Sequence, residues 1–297
     1  MTYTGRFAPS PTGPLHFGSL LAALASYLDA KHQQGRWLVR IENLDPPREV
    51  PGAADAILRT LETFGLHWQG EVVYQLDRYD YYHSILNQLQ QKDLAYPCSC
   101  SRSALKQRQA IKRYDRHCVS HPPKKQEPHA IRARFLSEQH YFTDRIQAIQ
   151  KSNPETEGDF IVYRRDQLFA YQLAVVADDQ AQGVNHIVRG ADLLQETFAQ
   201  QELQKHLDFY TPQYAHIPLA ITAQGQKLSK QNLAPSIEHL PVVPTLVSAL
   251  RFLGQDLPPE PLSLSTESLL NWAIQHWRIE QIPIAPIIIN TATQMGS

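Results

Sequence analysis

A short stretch near the start of the chain has the composition of a phosphate-binding site. It reads PSPTGPLHFGS from Pro9 to Ser19, so a proline-rich turn leads directly into an apolar helix. The first backbone N–H groups of a helix and the positive end of its dipole attract anions, and His16 can donate to a phosphate oxygen as charge develops. Gly18 leaves room for a nucleotide against the backbone. The alternative is an ordinary helix start with a histidine on the surface.

Two lysines far along the chain supply a second group of this kind. Lys227 and Lys230 flank a leucine and a serine in the loop sequence QGQKLSKQ. Lysines on a mobile loop can close over a triphosphate and neutralise the charge that builds up on a departing pyrophosphate. Because pairs of lysines are usually just solvated, this motif acquires a function only together with the stretch around His16.

The three cysteines of the chain have the spacing of metal ligands. Cys98 and Cys100 form a C-x-C pair, and Cys118 follows 18 residues later. An odd number of cysteines, two of them so close, does not make a disulfide framework. In a reducing compartment the pattern predicts a structural zinc ion on a segment that is too small to have its own core. Three buried cysteines without a metal are the alternative.

The elements that must position these residues follow from the spacing of the apolar residues. After His16, leucines fall on one helical face, and Gly35 is placed to end that helix. Arg36 to Glu42 predicts a buried strand, and a second helix continues to Phe64. The order strand, helix, strand, helix predicts an α/β fold with a parallel sheet, in which ligands bind at the carboxyl ends of the strands.

The rest of the chain gives a coarser pattern. A third helix is predicted from Tyr79 to Lys92, and the prolines and charges of HPPKKQEPH then predict an irregular insertion rather than more sheet. Further helices are predicted around 243–253 and 269–277. The composition is that of a globular protein, with 42% apolar residues, 19% charged residues and a formal net charge of −1. With no apolar span and no signal segment, we expect a cytoplasmic monomer without a membrane partner.

Taken together, the motifs resemble those of class I aminoacyl-tRNA synthetases. HFGS and KLSK stand where that class has its HIGH and KMSKS signatures. The stretches GRFAPSPTGPLHFGS, RIENLDPPR, DFIVYRRD, YQLAVVADD, IVRGADL and KLSK also occur in the order and rough spacing of the glutamyl-tRNA synthetase catalytic domain. The resemblance covers about residues 4–240 and is far more specific than any single motif.

The resemblance implies a fold and a division of the chain. It implies a Rossmann-like parallel-sheet catalytic domain with a zinc-bearing insertion and a short, mostly helical C-terminal part. The first half of the catalytic domain would span 1–94, and the insertion, an acceptor-type subdomain with the zinc site, 95–158. The second half with the lysine loop would span 159–240, and the helical segment 241–297.

The resemblance also implies site residues. Glutamate would be held by Arg6, Ala8, Ser10, Glu42, Tyr171 and Arg189, with Glu42 taking the α-amino group. ATP, bound with Mg²⁺, would contact Pro9, His16, Gly18, Ser19 and Lys230, and the catalytic residues would be His16, Gly18, Lys227 and Lys230. Guanidinium groups such as those of Arg6 and Arg189 can pair with a carboxylate in a bidentate manner, which favours glutamate over glutamine.

The fourth zinc ligand follows from the resemblance less directly. Related synthetases that carry this metal often end the motif with C-x-H, but this chain has Ser120 at the histidine position. Shortened relatives show Y-x3-C, which favours Tyr114 beside Cys98, Cys100 and Cys118. Histidine is chemically the commoner ligand, so His117 and His121 remain alternatives.

The length of the chain bears on the acceptor. A full glutamyl-tRNA synthetase adds a large helical anticodon-binding part after the lysine loop, whereas this chain ends at Ser297. It resembles the shortened paralogues called glutamyl-Q tRNA(Asp) synthetases, which implies transfer of glutamate to the queuosine base in the anticodon loop of tRNA(Asp). A minimal glutamyl-tRNA synthetase that charges the tRNA 3′ end is one alternative. A noncatalytic module that binds ATP or an amino acid is the other.

Overall fold

The computed structural model describes residues 2–124, 126–138, 140–221, 235–284 and 287–288. The strands are β1 Thr4–Phe7, β2 Arg36–Ile41, β3 Val73–Tyr74, β4 Ala95–Cys98, β5 Ala130–Ala133, β6 Tyr141–Asp144, β7 Ala148–Lys151, β8 Phe160–Tyr163, β9 His186–Gly190, β10 Gln213–Ile217, β11 Ala220–Ile221 and β12 Ile287–Ile288. The α-helices are α1 Phe17–His32, α2 Ala53–Thr63, α3 Tyr79–Gln91, α4 Arg102–Gln107, α5 His117–Ser120, α6 Tyr171–Ala181, α7 Glu196–His206, α8 Val242–Phe252 and α9 Thr266–Gln275.

A parallel sheet forms the centre of the molecule, which confirms the predicted α/β class. Strands β1, β2 and β3 pair in that order, and β9 pairs with β10, all in parallel. At the start of β1, Thr4 exchanges hydrogen bonds of 2.8 and 3.0 Å with Asn185, which precedes β9. At the other ends of these strands, Phe7 and Gly190 line one cavity. The strands β1 and β9 therefore run side by side in the same direction, and their carboxyl ends meet at one edge.

Helix α1 joins β1 to β2 and begins at the stretch around His16 that the sequence predicts to bind phosphate. The His16 side chain caps the helix by accepting a hydrogen bond from the Ser19 backbone N–H at 3.2 Å. Leu20, Leu24 and neighbouring apolar residues are buried against the sheet, as their spacing predicts. Gly35 is required after the helix because a Cβ there would lie 2.5 Å from the Tyr3 carbonyl oxygen.

The insertion contains more regular structure than we expected. Strand β4 pairs with β5 and β5 with β8 in an antiparallel sheet, and β6 and β7 form a hairpin. The expectation of irregular structure is therefore wrong. Each strand has only four residues, too few to show an alternating pattern, and β5 buries a polar side chain, Arg132. A boundary after residue 158 would separate β8 from its partner β5.

The C-terminal helices pack against the catalytic core as one continuous body. Apolar side chains of α8 and α9 join α1 and the sheet in the largest core cluster. A buried polar contact adds to this packing. The Trp277 indole donates to Asp29 of α1 at 3.0 Å, and Asp29 also accepts from Tyr3 and Arg145. No helix within the described part of the chain is both long enough and apolar enough to cross a bilayer.

The Trp277 contact predicts a difference between two tryptophan substitutions. Trp277→Phe removes a donor from the buried Asp29 carboxylate, whereas the Trp272 indole N–H has no hydrogen-bond partner among the described residues. Both substitutions replace an indole by the smaller phenyl ring. We expect Trp277→Phe to lower the free energy of unfolding by about 1–3 kcal/mol more than Trp272→Phe, measured by denaturant titration. Equal values would show that the hydrogen bond does not anchor the C-terminal helices.

Candidate active site

A cavity of about 570 Å³ opens at the carboxyl ends of β1, β2 and β9. Parallel sheets bind ligands at this edge, since the loops that leave the strands diverge there. The start of α6 closes one side of the cavity. All six residues that the sequence predicts for glutamate line it, namely Arg6, Ala8, Ser10, Glu42, Tyr171 and Arg189.

A second cavity of about 250 Å³ adjoins the first and shares Phe7, Ser10 and Gly190 with it. It lies at the start of α1. Four of the residues predicted for ATP line it, namely Pro9, His16, Gly18 and Ser19. Because His16 Nδ1 accepts from the Ser19 backbone, the neutral ring carries its proton on Nε2, which lies 3.0 Å from the Ser19 hydroxyl. The ring therefore caps the helix through Nδ1 and directs Nε2 at the Ser19 hydroxyl.

The two lysines predicted to complete the nucleotide site, Lys227 and Lys230, lie outside the described residues. The described chain resumes at residue 235, where it meets the start of α1. Ser236 and His16 form an isolated antiparallel β-bridge, and the Ile237 backbone N–H donates to the Leu15 carbonyl at 3.0 Å.

Behind the first cavity, a buried network of charges connects the sheet to α6. Asp179 accepts from Arg6 at 3.2 and 3.4 Å and pairs with Arg40 at 2.9 Å. Arg40 also lies 3.4 Å from Glu42 and 3.6 Å from Asp178. Guanidinium groups are buried only when they are paired, and the two aspartates provide the pairing. The sequence analysis missed Arg40, Asp178 and Asp179. The one available signal was the adjacent aspartates at the end of an otherwise apolar helix.

Glu42 and Tyr171 present two different functional groups to the cavity. The Glu42 side chain is 9% exposed, and its burial raises the pKa of the carboxyl, although Arg40 and Arg6 oppose this effect. An ammonium group that binds there would favour the ionised carboxylate. Burial also raises the pKa of Tyr171, so its hydroxyl stays protonated and can donate.

All three nitrogens of the Arg189 guanidinium contact the protein, but Nη1 makes a single, longer hydrogen bond. Its Nε donates to His216 Nε2 at 3.0 Å, and its Nη2 donates to the Thr197 hydroxyl at 2.9 Å and to the Leu193 carbonyl at 3.3 Å. Its Nη1 lies 3.4 Å from the Tyr171 hydroxyl. Nη1 and that hydroxyl are thus the donors that Arg189 and its neighbour leave for a ligand. Arg6 has a similar arrangement, because Asp179 engages its Nε and Nη2.

The cysteines come together at the far end of the insertion. Their three sulfur atoms lie within 4.8 Å of one another. The Tyr114 hydroxyl is 3.3 Å from Cys98 Sγ and 3.5 Å from Cys100 Sγ. Burial alone would raise the pKa of Cys98, but hydrogen bonds from Tyr114 and Arg132 outweigh it and lower the pKa. Burial raises the pKa of Cys118, a cost that a bound cation would offset. Three cysteine sulfurs with a phenol beside them make a donor set that fits a four-coordinate zinc ion.

The two histidines are less well placed for a metal than Tyr114. The rings of His117 and His121 stack on each other with centroids 4.5 Å apart. Within the described residues, the potential metal ligands grouped around the thiols do not include either ring. The geometry therefore favours Tyr114 as the fourth ligand.

This geometry predicts how the variants differ in metal content. We expect untagged protein to contain one zinc ion per chain by elemental analysis. Cys118→Ser removes a ligand and should lose the ion and lower the melting temperature, since the insertion then lacks its cross-link. Tyr114→Phe should reduce the zinc content, whereas His117→Ala and His121→Ala should keep it. Full zinc in Tyr114→Phe, with loss in either histidine variant, would assign the fourth ligand differently.

Comparisons with known proteins identify the family of the chain. The family model described as tRNA synthetases class I (E and Q), catalytic domain, matches residues 3–243. A glutamyl-Q tRNA(Asp) synthetase of Serratia proteamaculans is 51% identical over 282 residues, which cover 95% of this chain and 92% of the relative. The Escherichia coli K12 protein of the same name is 48% identical over 292 residues, covering 97% and 93% of the two chains.

Solved structures show the same fold. A glutamate tRNA ligase from Elizabethkingia meningosepticum, in complex with its amino acid, superposes with a TM-score of 0.82 at 23% identity, covering 98% of this chain and 68% of that one. The glutamate-tRNA synthetase of Elizabethkingia anophelis gives the same TM-score and identity. The family model and the relatives that are about half identical over nearly the whole chain decide the membership. This chain belongs to the class I tRNA synthetases of the glutamate and glutamine type and, among these ligases, to the glutamyl-Q tRNA(Asp) synthetase family.

Proposed function

We propose that the protein activates L-glutamate with ATP and transfers it to the queuosine base in the anticodon loop of tRNA(Asp). That the protein is a ligase of the glutamyl-tRNA synthetase type follows from its family. The observation that carries the proposal is the pair of adjoining cavities. One is lined by two guanidinium groups and a carboxylate, and the other lies against a helix start.

The first cavity suits an amino acid with an acidic side chain. We assign the α-ammonium group to Glu42. This nearly buried side chain is the one carboxylate among the six residues predicted to bind glutamate. We assign the side-chain carboxylate to the N–H groups that Arg6 and Arg189 keep available, together with the Tyr171 hydroxyl. A site with charged donors discriminates against glutamine, whose amide would place its own N–H groups against them. Ala8 and Ser10 line the same cavity, and Ser10 also lines the second one.

The second cavity suits the triphosphate of ATP. The start of α1 offers backbone N–H groups to phosphate oxygens, and His16 adds a side-chain donor. Pro9, Gly18 and Ser19 line the space that the nucleotide would occupy. Mg²⁺, which arrives with ATP, would neutralise phosphate charge. We assign Lys227 and Lys230 to the departing pyrophosphate.

The reaction has two steps and needs no protein nucleophile. The α-carboxylate oxygen of glutamate attacks the α-phosphorus of ATP, and the bond to the pyrophosphate oxygen breaks in line with the new bond. A hydroxyl oxygen of the queuosine cyclopentenediol then attacks the carbonyl carbon of the mixed anhydride. AMP leaves with the anhydride oxygen, and the hydroxyl proton passes to solvent. The protein contributes by placing the two substrates and by stabilising phosphate charge.

Mapping the attached glutamate tests the acceptor. The protein is incubated with ATP and labelled glutamate, using tRNA(Asp) that contains queuosine, the same tRNA without queuosine, and tRNA(Glu). After nuclease digestion, we expect the label on the anticodon fragment of the first RNA alone. Label on the terminal adenosine of any RNA would instead identify a minimal glutamyl-tRNA synthetase.

Glu42→Gln tests the amino-acid pocket before any RNA is bound. The amide keeps the size of the side chain but removes the negative charge that would pair with the ammonium group. A hydrogen bond to a charged group contributes about 1.5–3 kcal/mol, so kcat/KM for glutamate in ATP–pyrophosphate exchange should fall roughly 10- to 100-fold. Glu62→Gln, on the exposed face of α2, serves as the control and should leave exchange unchanged. Unchanged exchange in Glu42→Gln would remove Glu42 from the substrate pocket.

A further inference from the structure

We propose that Asp144 and His216 are positioning residues for Arg189, so that the insertion helps to set the side-chain end of the amino-acid pocket. The functional part of this inference rests on the proposed function, because it takes Arg189 as a ligand of the glutamate side chain. The structural part rests on a chain of buried hydrogen bonds that runs from the β6–β7 hairpin through β10 to β9.

The Arg189 end of the chain fixes which nitrogen of His216 carries a proton. An arginine guanidinium always donates, and Arg189 Nε points at His216 Nε2 at 3.0 Å. His216 Nε2 must therefore accept, which leaves Nδ1 as the protonated nitrogen. Nδ1 lies 2.6 Å from a carboxylate oxygen of Asp144, in position to donate to it. The orientation of Asp144 thus fixes the tautomer of the imidazole, and this tautomer allows Nε2 to accept from Arg189.

The Asp144 end is anchored independently of the histidine ring. Its Oδ1 accepts three backbone N–H groups, from Ile146 at 2.9 Å, Gln147 at 2.8 Å and His216 at 3.1 Å. These bonds leave Oδ2 for His216 Nδ1 alone. The side chains of Asp144 and His216 have no exposed surface, so water does not replace either partner. The carboxylate therefore stays in one orientation and selects one tautomer of the ring.

This arrangement has a consequence for the pocket. The other donors of Arg189 are bound to Thr197 and Leu193, and the His216 contact holds the remaining edge of the guanidinium. Nη1 is then directed beside the Tyr171 hydroxyl. If the ring changed its tautomer, an N–H would face the Arg189 N–H, and the guanidinium would have to move away.

Asp144→Asn produces this change of tautomer with a minimal alteration of structure. The amide oxygen can keep the three backbone N–H groups, because turning the side chain over would place its own NH₂ against them. The NH₂ group then faces His216 Nδ1, which must accept. The proton moves to Nε2 and opposes the donor of Arg189. The chemical change is one oxygen replaced by NH₂.

We expect Asp144→Asn to raise the KM for glutamate in ATP–pyrophosphate exchange roughly 10- to 100-fold, since a charge-assisted hydrogen bond is lost and a repulsive contact replaces it. The KM for ATP should not change. Asp159→Asn is the matched control. Asp159, the first residue after the insertion, is another buried carboxylate that accepts from a backbone N–H, a tyrosine and an arginine, but it does not contact Arg189 or His216. It should lower the melting temperature without raising the KM for glutamate.

Two further readouts keep the test decisive. Nitrogen-15 NMR of His216 should show the proton on Nδ1 in the unaltered protein and on Nε2 in Asp144→Asn. If Asp144→Asn does not fold, His216→Gln replaces it. Its carbonyl oxygen can still accept from Arg189, so its KM for glutamate should be lower than that of His216→Leu.

Each result either supports or overturns the proposal. An unchanged KM for glutamate in folded Asp144→Asn, an equal rise in Asp159→Asn, or equal values for the two His216 variants would overturn it. A proton on Nε2 of the unaltered protein would also overturn it. If the unaltered protein shows no glutamate-dependent exchange but has the predicted tautomer, the proposed function fails while the positioning chain stands.

Discussion

The active site depends on the pairing of buried guanidinium groups with two aspartates of α6. Arg6 and Arg40 leave neighbouring strands of the sheet, and both meet Asp179, while Arg40 also lies near Asp178 and Glu42. Unpaired charges in such a position would be too costly to bury, so the helix and the two strands must come together in one register. That register places Glu42 and an N–H edge of Arg6 at the cavity. The same network that joins α6 to the sheet therefore also positions the residues that line the pocket.

The insertion contributes a candidate zinc site and a contact to the amino-acid pocket. At one end its thiols and Tyr114 gather into a donor set for zinc, which supports a segment built from strands of only four residues. At the other end, Asp144 of β6 contacts His216, which in turn accepts from Arg189 of the amino-acid pocket. Between them, the Asp159 carboxylate accepts from Arg116 and from the Phe135 backbone, and Phe135 packs in a core cluster with Phe142 and Tyr214. The insertion is thus packed into the catalytic core as well as attached to it.

The sequence predicts the local parts of this structure well. Helix α1 and strand β2 follow from apolar periodicity, and the residues around both cavities follow from the resemblance to a synthetase catalytic domain. It does not predict partners that are distant in the chain. Nothing in the spacing of Asp144, His216 and Arg189 indicates that they meet, because each lies on a different strand. The short strands of the insertion escape for another reason, since four residues carry too little periodicity. Lys227 and Lys230 lie outside the described residues, so their role remains a prediction from their motif.

The central claim is that one pocket binds an acidic amino acid beside a nucleotide held at the start of α1. A crystal structure with a non-hydrolysable analogue of glutamyl-adenylate tests it most directly. The account predicts the amino group at the Glu42 carboxylate, the side-chain carboxylate at Arg189 Nη1 and the Tyr171 hydroxyl, and the phosphate-like group beside His16. An analogue bound outside these two cavities, or bound with its side chain turned away from Arg189, would contradict it.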